Sequence, residues 1–214
     1  MRFTVPAIIL SLCVALAVPS PLPEPDTSDV DFSKIVLEGI SYAGSGCTAG
    51  SVSFFPKPEW TIFSLGFGQF TVSIGPGIPT SEKRKNCNLN VKLRYPTGYQ
   101  YAIYQIDFAG YAALDKDVKA THQVDYWFSG QALKKATLKS EFLGSFRDSY
   151  NVRATLTPDN WVWSPCNDST TLNLNTQVFL DNSLNPQGYG TTVATETFGD
   201  TLKAVYGAQW RKCP

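Results

Sequence analysis

The chain has 214 residues, 43% hydrophobic and 13% aromatic, with 18 basic and 18 acidic side chains and a sequence pI near 6.6. That length and apolar content suit one domain able to bury a real core. The balanced charge supplies no concentrated positive field, so neither nucleic acid nor an anionic membrane surface is an expected partner.

Residues Met1 to Ala17 carry one positive charge at Arg2, an apolar run from Val5 interrupted by Pro6 and Ser11, and small residues at Ala15 and Ala17. These are the three parts of a secretory signal, so 1–17 reads as a signal peptide cleaved after Ala17. The run is short of the roughly 20 residues a bilayer span takes, and no membrane insertion of the mature chain is expected. Residues 18–33, rich in Pro, Ser, Asp and Glu, read as a flexible leader, and 34–214 as a single extracellular domain.

Period-two alternation dominates that domain. Strands are expected at 60–67 and 69–74, where the apolar set changes phase from Phe63, Leu65 and Phe67 to Phe70, Val72 and Ile74. A one-residue slip would turn the second set to the wrong face, so a bulge or bend is expected near Gly66 or Gly68. From Asn88 to Tyr95, Leu89, Val91, Leu93 and Tyr95 share one face while Asn88, Asn90, Lys92 and Arg94 share the other. Ala102, Tyr104, Ile106 and Phe108 repeat the device after Pro96-Thr97-Gly98, which makes 88–108 a hairpin candidate. A turn around Ala113 to Lys119 precedes expected strands at 122–130, 138–146 and 160–164. In 170–180, Leu172, Leu174, Val178 and Leu180 point one way and Asn173, Asn175 and Gln177 the other. The last strand, 201–211, aligns Leu202, Ala204, Tyr206, Ala208 and Trp210. Many short strands without a long amphipathic helix to cover a parallel sheet predict an all-β, antiparallel β-sandwich, jelly-roll-like or immunoglobulin-like.

Loss of Cys13 with the signal peptide leaves Cys47, Cys87, Cys166 and Cys213, an even number in an oxidising compartment, which reads as two disulfides. The close C-x-x-C pairs of a zinc site are missing. Four cysteines allow three connectivities, and spacing cannot choose among them. Cys47 with Cys87 and Cys166 with Cys213 is favoured because each pair closes a moderate loop. Asn167-Asp168-Ser169 matches the N-glycosylation acceptor, making Asn167 the expected glycan site.

With the strands placed, the punctuation between them forms an ordered series. It runs Gly44-Ser45-Gly46-Cys47 with Gly50-Ser51-Val52-Ser53, then Gly75-Pro76-Gly77, Arg84-Lys85-Asn86-Cys87, Tyr95-Pro96-Thr97-Gly98-Tyr99, Phe108-Ala109-Gly110-Tyr111, Phe128-Ser129-Gly130, Trp163-Ser164-Pro165-Cys166 and Trp210-Arg211-Lys212-Cys213. This series resembles a family of fungal secreted proteins known as the domain of unknown function 4360, over roughly residues 38 to 213. The resemblance implies secretion and this placement of cysteines, but no activity and no catalytic residue. The chain departs from the family pattern at Thr195-Glu196-Thr197-Phe198-Gly199-Asp200.

Reactive constellations are sparse. His122 is the single histidine and has no Gly-x-Ser-x-Gly elbow to serve, so a strand-edge polar role is expected for it, with no catalytic residue, metal site or cofactor. Asp107 and Asp125 fall on polar faces of expected strands and could approach each other if those strands were neighbours, the arrangement a small hydrolase would use. Asp115-Lys116-Asp117 lacks the further ligands of a calcium loop. Tyr99, Tyr101 and Tyr111 would occupy the face opposite Tyr104, Ile106 and Phe108, and Trp127 the face opposite Tyr126 and Phe128. Outward rings can stack on sugars or anchor a protein. The expected function is therefore a secreted, non-catalytic binding protein, its partner a cell-wall polysaccharide or an extracellular protein. Its candidate ligand contacts are Tyr99, Tyr101, Tyr111, Trp127, Asp107 and Asp125. A hydrolase built on the two aspartates, or an inhibitor of secreted enzymes using the Gly75 to Arg84 loop, is the alternative.

Overall fold

A computed structural model describes residues 30–166, 169–193 and 202–214. The expected signal segment 1–17, most of the 18–33 leader, Asn167 and the Thr195 to Asp200 stretch lie outside the described residues. Within them the chain forms β1 (Val36–Ala43), β2 (Val52–Pro56), β3 (Ile62–Phe67), β4 (Val72–Ile74), β5 (Arg84–Arg94), β6 (Tyr99–Leu114), β7 (Lys119–Phe128), β8 (Ala136–Leu143), β9 (Phe146–Thr155), β10 (Ser169–Asp181), β11 (Gly190–Val193) and β12 (Leu202–Lys212). One sheet has the order β1-β5-β10-β7-β8; the other contains β2, β3, β12, β6, β11 and β4, with β9 on β6. Every pairing is antiparallel. The protein is thus an antiparallel β-sandwich.

The second sheet is built from interrupted strands. β12 pairs with Tyr99 to Ala109 of β6 and β11 with Tyr111 to Leu114, so β11 and β12 lie end to end along one side of β6. β3 pairs β12 and β4 pairs β11, which places β3 and β4 end to end one position further out. The bend expected near Gly66 or Gly68 is this break. The Gly68 N–H donates to the Ser51 carbonyl at 2.9 Å, one step beyond the Val52–Phe67 pair that ends the β2–β3 ladder. Phe63, Leu65 and Phe67 before it and Phe70, Val72 and Ile74 after it are all buried.

The expected 88–108 hairpin does not form. β5 belongs to the first sheet and β6 to the second, so Tyr95 to Gly98 is an arch across the sandwich, with Gly98 at φ 86°. β5 carries the same inward alternation in either arrangement, and only its partner differs. The 138–146 strand is likewise divided, with β8 in the first sheet and β9 in the second. At the corner between them a Cβ on Gly144 would fall 2.0 Å from the Asp115 carbonyl oxygen, so the backbones meet where only glycine fits.

Residues 160–164 are not a strand. Pro158–Asn160 makes a 3₁₀ turn, and the segment after it is held by side chains in place of a ladder. Val162 N–H donates to the Tyr126 hydroxyl at 3.0 Å. Tyr101 N–H donates to Ser164 Oγ at 3.0 Å, and Ser164 N–H to the Tyr101 carbonyl at 2.8 Å.

The core fills the space between the inner faces. Leu89, Val91, Leu93, Leu172, Leu174, Val178, Leu180, Val124, Tyr126 and Phe128 from the first sheet meet Phe63, Leu65, Ile106, Phe108, Leu202, Ala204, Tyr206 and Trp210 from the second. Burying side chains of this size contributes about 1.5–3 kcal/mol each. At one end Trp210 packs on Tyr95 and Tyr101, and Phe32 meets it edge-on at 6.2 Å. Val30 is buried as well, so packed structure begins within the expected 18–33 leader. Cys47–Cys87 and Cys166–Cys213 are the two disulfides, the favoured pairing.

Candidate ligand-binding face

The outer face of the first sheet is built from short polar side chains on adjacent strands. Directly paired residues of neighbouring strands share a face, and the registers set Asn88, Asn175, Asp125 and Thr137 in one row and Asn86, Gln177, Gln123 and Lys139 in the next. Asn90, Asn173 and Trp127 form a third row on the other side.

Asp125 is the hub, with 4% of its surface exposed. Its Oδ1 accepts from Thr137 Oγ1 at 2.7 Å and Gln123 Nε2 at 3.1 Å. Its Oδ2 accepts from Gln177 Nε2 at 3.3 Å and lies 3.0 Å from Lys135 Nζ. Arg84 in turn donates to Gln177 Oε1. A buried carboxylate satisfied this fully orients the amides around it rather than acting as a free base. Beside it, Asn175 Oδ1 is buried without a hydrogen-bond partner among the described residues. Asp125, Gln123, Gln177, Lys135, Arg84 and Asn175, with Lys83, Phe179 and Asp181, line a groove of about 730 Å³. Half-buried Trp127 stands next to it, its ring 5.8 Å from Lys135 Nζ and its carbonyl accepting from Asn173 Nδ2 at 3.3 Å.

The other expected contacts lie elsewhere. Asp107 faces outward from the second sheet, where Arg153 binds it through Nε at 2.5 Å and Nη2 at 3.0 Å. It and Asp125 are on opposite outer faces of the sandwich, so the paired carboxylates are not brought together. Tyr101 is 1% exposed and belongs to the core. The cause is a bulge in β6: Gln105 pairs with Gly207 and Ile103 with Ala208, leaving Tyr104 as the extra residue. The bulge inverts the phase, so Tyr101 and Ile103 point inward ahead of Ile106 and Phe108, and Tyr104 turns out to pack 5.8 Å from Trp161. Tyr99 is half-buried against the core, and Tyr111 is half-buried on the second sheet, away from Trp127.

His122 is no strand-edge residue. It points from β7 into the core, fully buried, with Phe108, Phe142 and Tyr150 around its ring. Burial holds its pKa down to about 3. In the Asp115 to Asp117 turn, the Asp115 carboxylate accepts from Tyr189 N–H at 2.8 Å. The Gly75 to Arg84 loop delivers Lys83 and Arg84 to the edge of the groove. Reading Asn173, Asn175 and Gln177 as outward foreshadowed the amide row; Gln123, Lys135 and Arg84 carried no signal until the strands were paired.

The family described as Domain of unknown function (DUF4360) matches residues 33–213. An uncharacterized secreted protein of Arthroderma benhamiae is 36% identical over 184 residues, covering 86% of this chain and 74% of that protein. Among solved structures, TmCBM61 in complex with β-1,4-galactotriose overlaps at a TM-score of 0.27 and 9% identity, across 83% of this chain and 90% of that one. A structure of carbohydrate-binding modules from the β-sandwich superfamily overlaps at 0.26 and 10% identity, across 88% and 63%.

Proposed function

The chain belongs to the DUF4360 family of secreted fungal proteins, and we propose that it is a non-catalytic binding protein whose outer sheet face holds a polysaccharide. The observation that carries this reading is Asn175 Oδ1, an acceptor buried in the groove without a donor among the described residues, beside amides already oriented by Asp125. A buried unsatisfied acceptor costs roughly 1–3 kcal/mol, a penalty that a ligand hydroxyl would relieve. Gln123, Gln177 and Arg84 add fixed donors and acceptors, and Trp127 adds a ring against which the C–H face of a sugar can pack. The groove volume falls in the range of small-ligand sites, roughly 300–1,000 Å³.

The test is retention on insoluble chitin, β-glucan, cellulose and pectin, with wild type beside Trp127→Ala and Asn175→Ala. Wild type should be held by at least one matrix and both variants should elute early. Passage of wild type through all four, or equal retention of all three proteins, would reject the reading and leave an extracellular protein as the partner to seek.

A further inference from the structure

A second cleft opens at the end of the sandwich where β6 begins and β12 ends. It encloses about 640 Å³ among the β7–β8 loop, the segment after β9 and Arg211. Arg211 lies flat on the Trp163 indole, its Cζ 3.7 Å from the ring centroid. Gln100, with its amide oxygen turned toward the guanidinium, accepts from Nε at 2.6 Å and Nη2 at 2.8 Å, while its nitrogen donates to the Ser164 carbonyl at 3.1 Å. A guanidinium has five N–H donors, so both donors of Nη1 and one of Nη2 stay without a partner among the described residues. No carboxylate of the described residues pairs with Arg211.

The walls add the complement. Gln131 Oε1 is buried in the cleft without a hydrogen-bond partner among the described residues. Trp161 and Trp163 stand 5.7 Å apart, and Lys134 is exposed at the rim. Asp159 also lines the cleft, against the cations Arg211, Lys134 and Lys135. Partial burial lowers the Arg211 pKa from its usual value, the expected effect on a cation lacking a counter-ion.

We propose that this cleft is a subsite for the carboxylate of an acidic sugar, so that the polysaccharide bound by the protein contains uronic acid. A planar guanidinium with open donors suits a carboxylate. The Gln131 acceptor needs a hydroxyl donor, and the two indoles offer apolar surface to a ring; a hexuronate carries all three features on one residue. Lys135 lines both this cleft and the sheet-face groove, which makes the two sites neighbours for one extended chain. The polymeric nature of the ligand rests on the sheet-face reading; the requirement for negative charge does not.

The experiment is titration calorimetry with polygalacturonate, its fully methyl-esterified form, a neutral β-glucan and polyglutamate. The proteins are wild type, Arg211→Gln, Lys134→Glu and Trp127→Ala, each checked for an unchanged melting transition. Polygalacturonate should bind at least tenfold more tightly than its ester, weaken with added salt, and lose at least tenfold in Arg211→Gln and a smaller factor in Lys134→Glu. Lys134 is exposed, so its variant reports even if Arg211→Gln unfolds. Equal affinity for acid and ester, no binding of polygalacturonate by wild type, or indifference to both cleft variants overturns the proposal. Equal binding of polyglutamate overturns its saccharide part. Loss in Arg211→Gln with no change in Trp127→Ala would reject the sheet-face reading and leave the acidic subsite standing.

Discussion

His122 Nε2 lies 2.7 Å from the Tyr150 hydroxyl and joins the two sheets through the core, since β7 and β9 belong to different layers. The other ring nitrogen, Nδ1, is buried without a partner among the described residues. A charged imidazole would have no counter-ion in this aromatic pocket, which is why its pKa falls to about 3 from 6.5.

This produces a pH dependence of known sign. The native state keeps His122 neutral down to about pH 3, whereas the unfolded chain takes up a proton below about 6.5. The stabilisation is therefore complete above pH 6.5 and is lost as pH falls toward 3, by roughly 5 kcal/mol in all. Urea midpoints at pH 7, 5.5 and 4 should fall for wild type. For His122→Phe they should start lower, because Tyr150 loses its partner, and fall less steeply. Parallel slopes for the two proteins would remove His122 as the cause.

Two glycine substitutions should separate close approach from mere glycine content. Gly144→Ala drives a Cβ against the Asp115 carbonyl and should cost at least ~3 kcal/mol. Gly39→Ala, with open space around its Cβ and no positive φ, should shift stability by less than ~0.5 kcal/mol. Chemical denaturation of both variants at pH 7 checks the contrast.

The Cys47–Cys87 bridge closes a 40-residue separation and both cysteines are buried. Replacing the pair by alanine should lower stability by about 3–4 kcal/mol through the freed unfolded chain. Intact mass should then show two hydrogens gained on reduction, against four for wild type, and the thermal midpoint should drop.

Asn175→Leu should divide stability from binding. Exchanging an unsatisfied buried acceptor for an apolar group of similar size should leave stability within ~1 kcal/mol of wild type or raise it. Retention on the polysaccharide that holds wild type should still be lost. A variant that is both stable and fully retained would place the ligand elsewhere.

Three non-local features decide the placements that alternation alone does not predict. Tyr101 and Tyr104 exchange faces because β6 takes one extra residue opposite Gly207, and nothing in 99–108 marks the position of that residue. Asp107 and Asp125 part company because the Asp115 to Val118 turn carries the chain from β6 in the second sheet to β7 in the first. Trp161 and Trp163, within the strand expected at 160–164, form instead a wall of the cleft beside Arg211, because bonds from Tyr126 and Ser164 hold that segment in place of a ladder.

The alternation in 88–95, 170–180 and 201–211, the four cysteines of 34–214 and the lack of long amphipathic patterns were sufficient for an all-β sandwich stapled twice. These are local or countable properties, since side chains on a strand alternate whatever its neighbour. Which strands pair, where a ladder gains a residue, and hence which polar side chains meet depend on contacts between segments far apart in the chain. The groove around Asp125 and the cleft beside Arg211 draw on such segments, and for that reason the tertiary structure alone decided them.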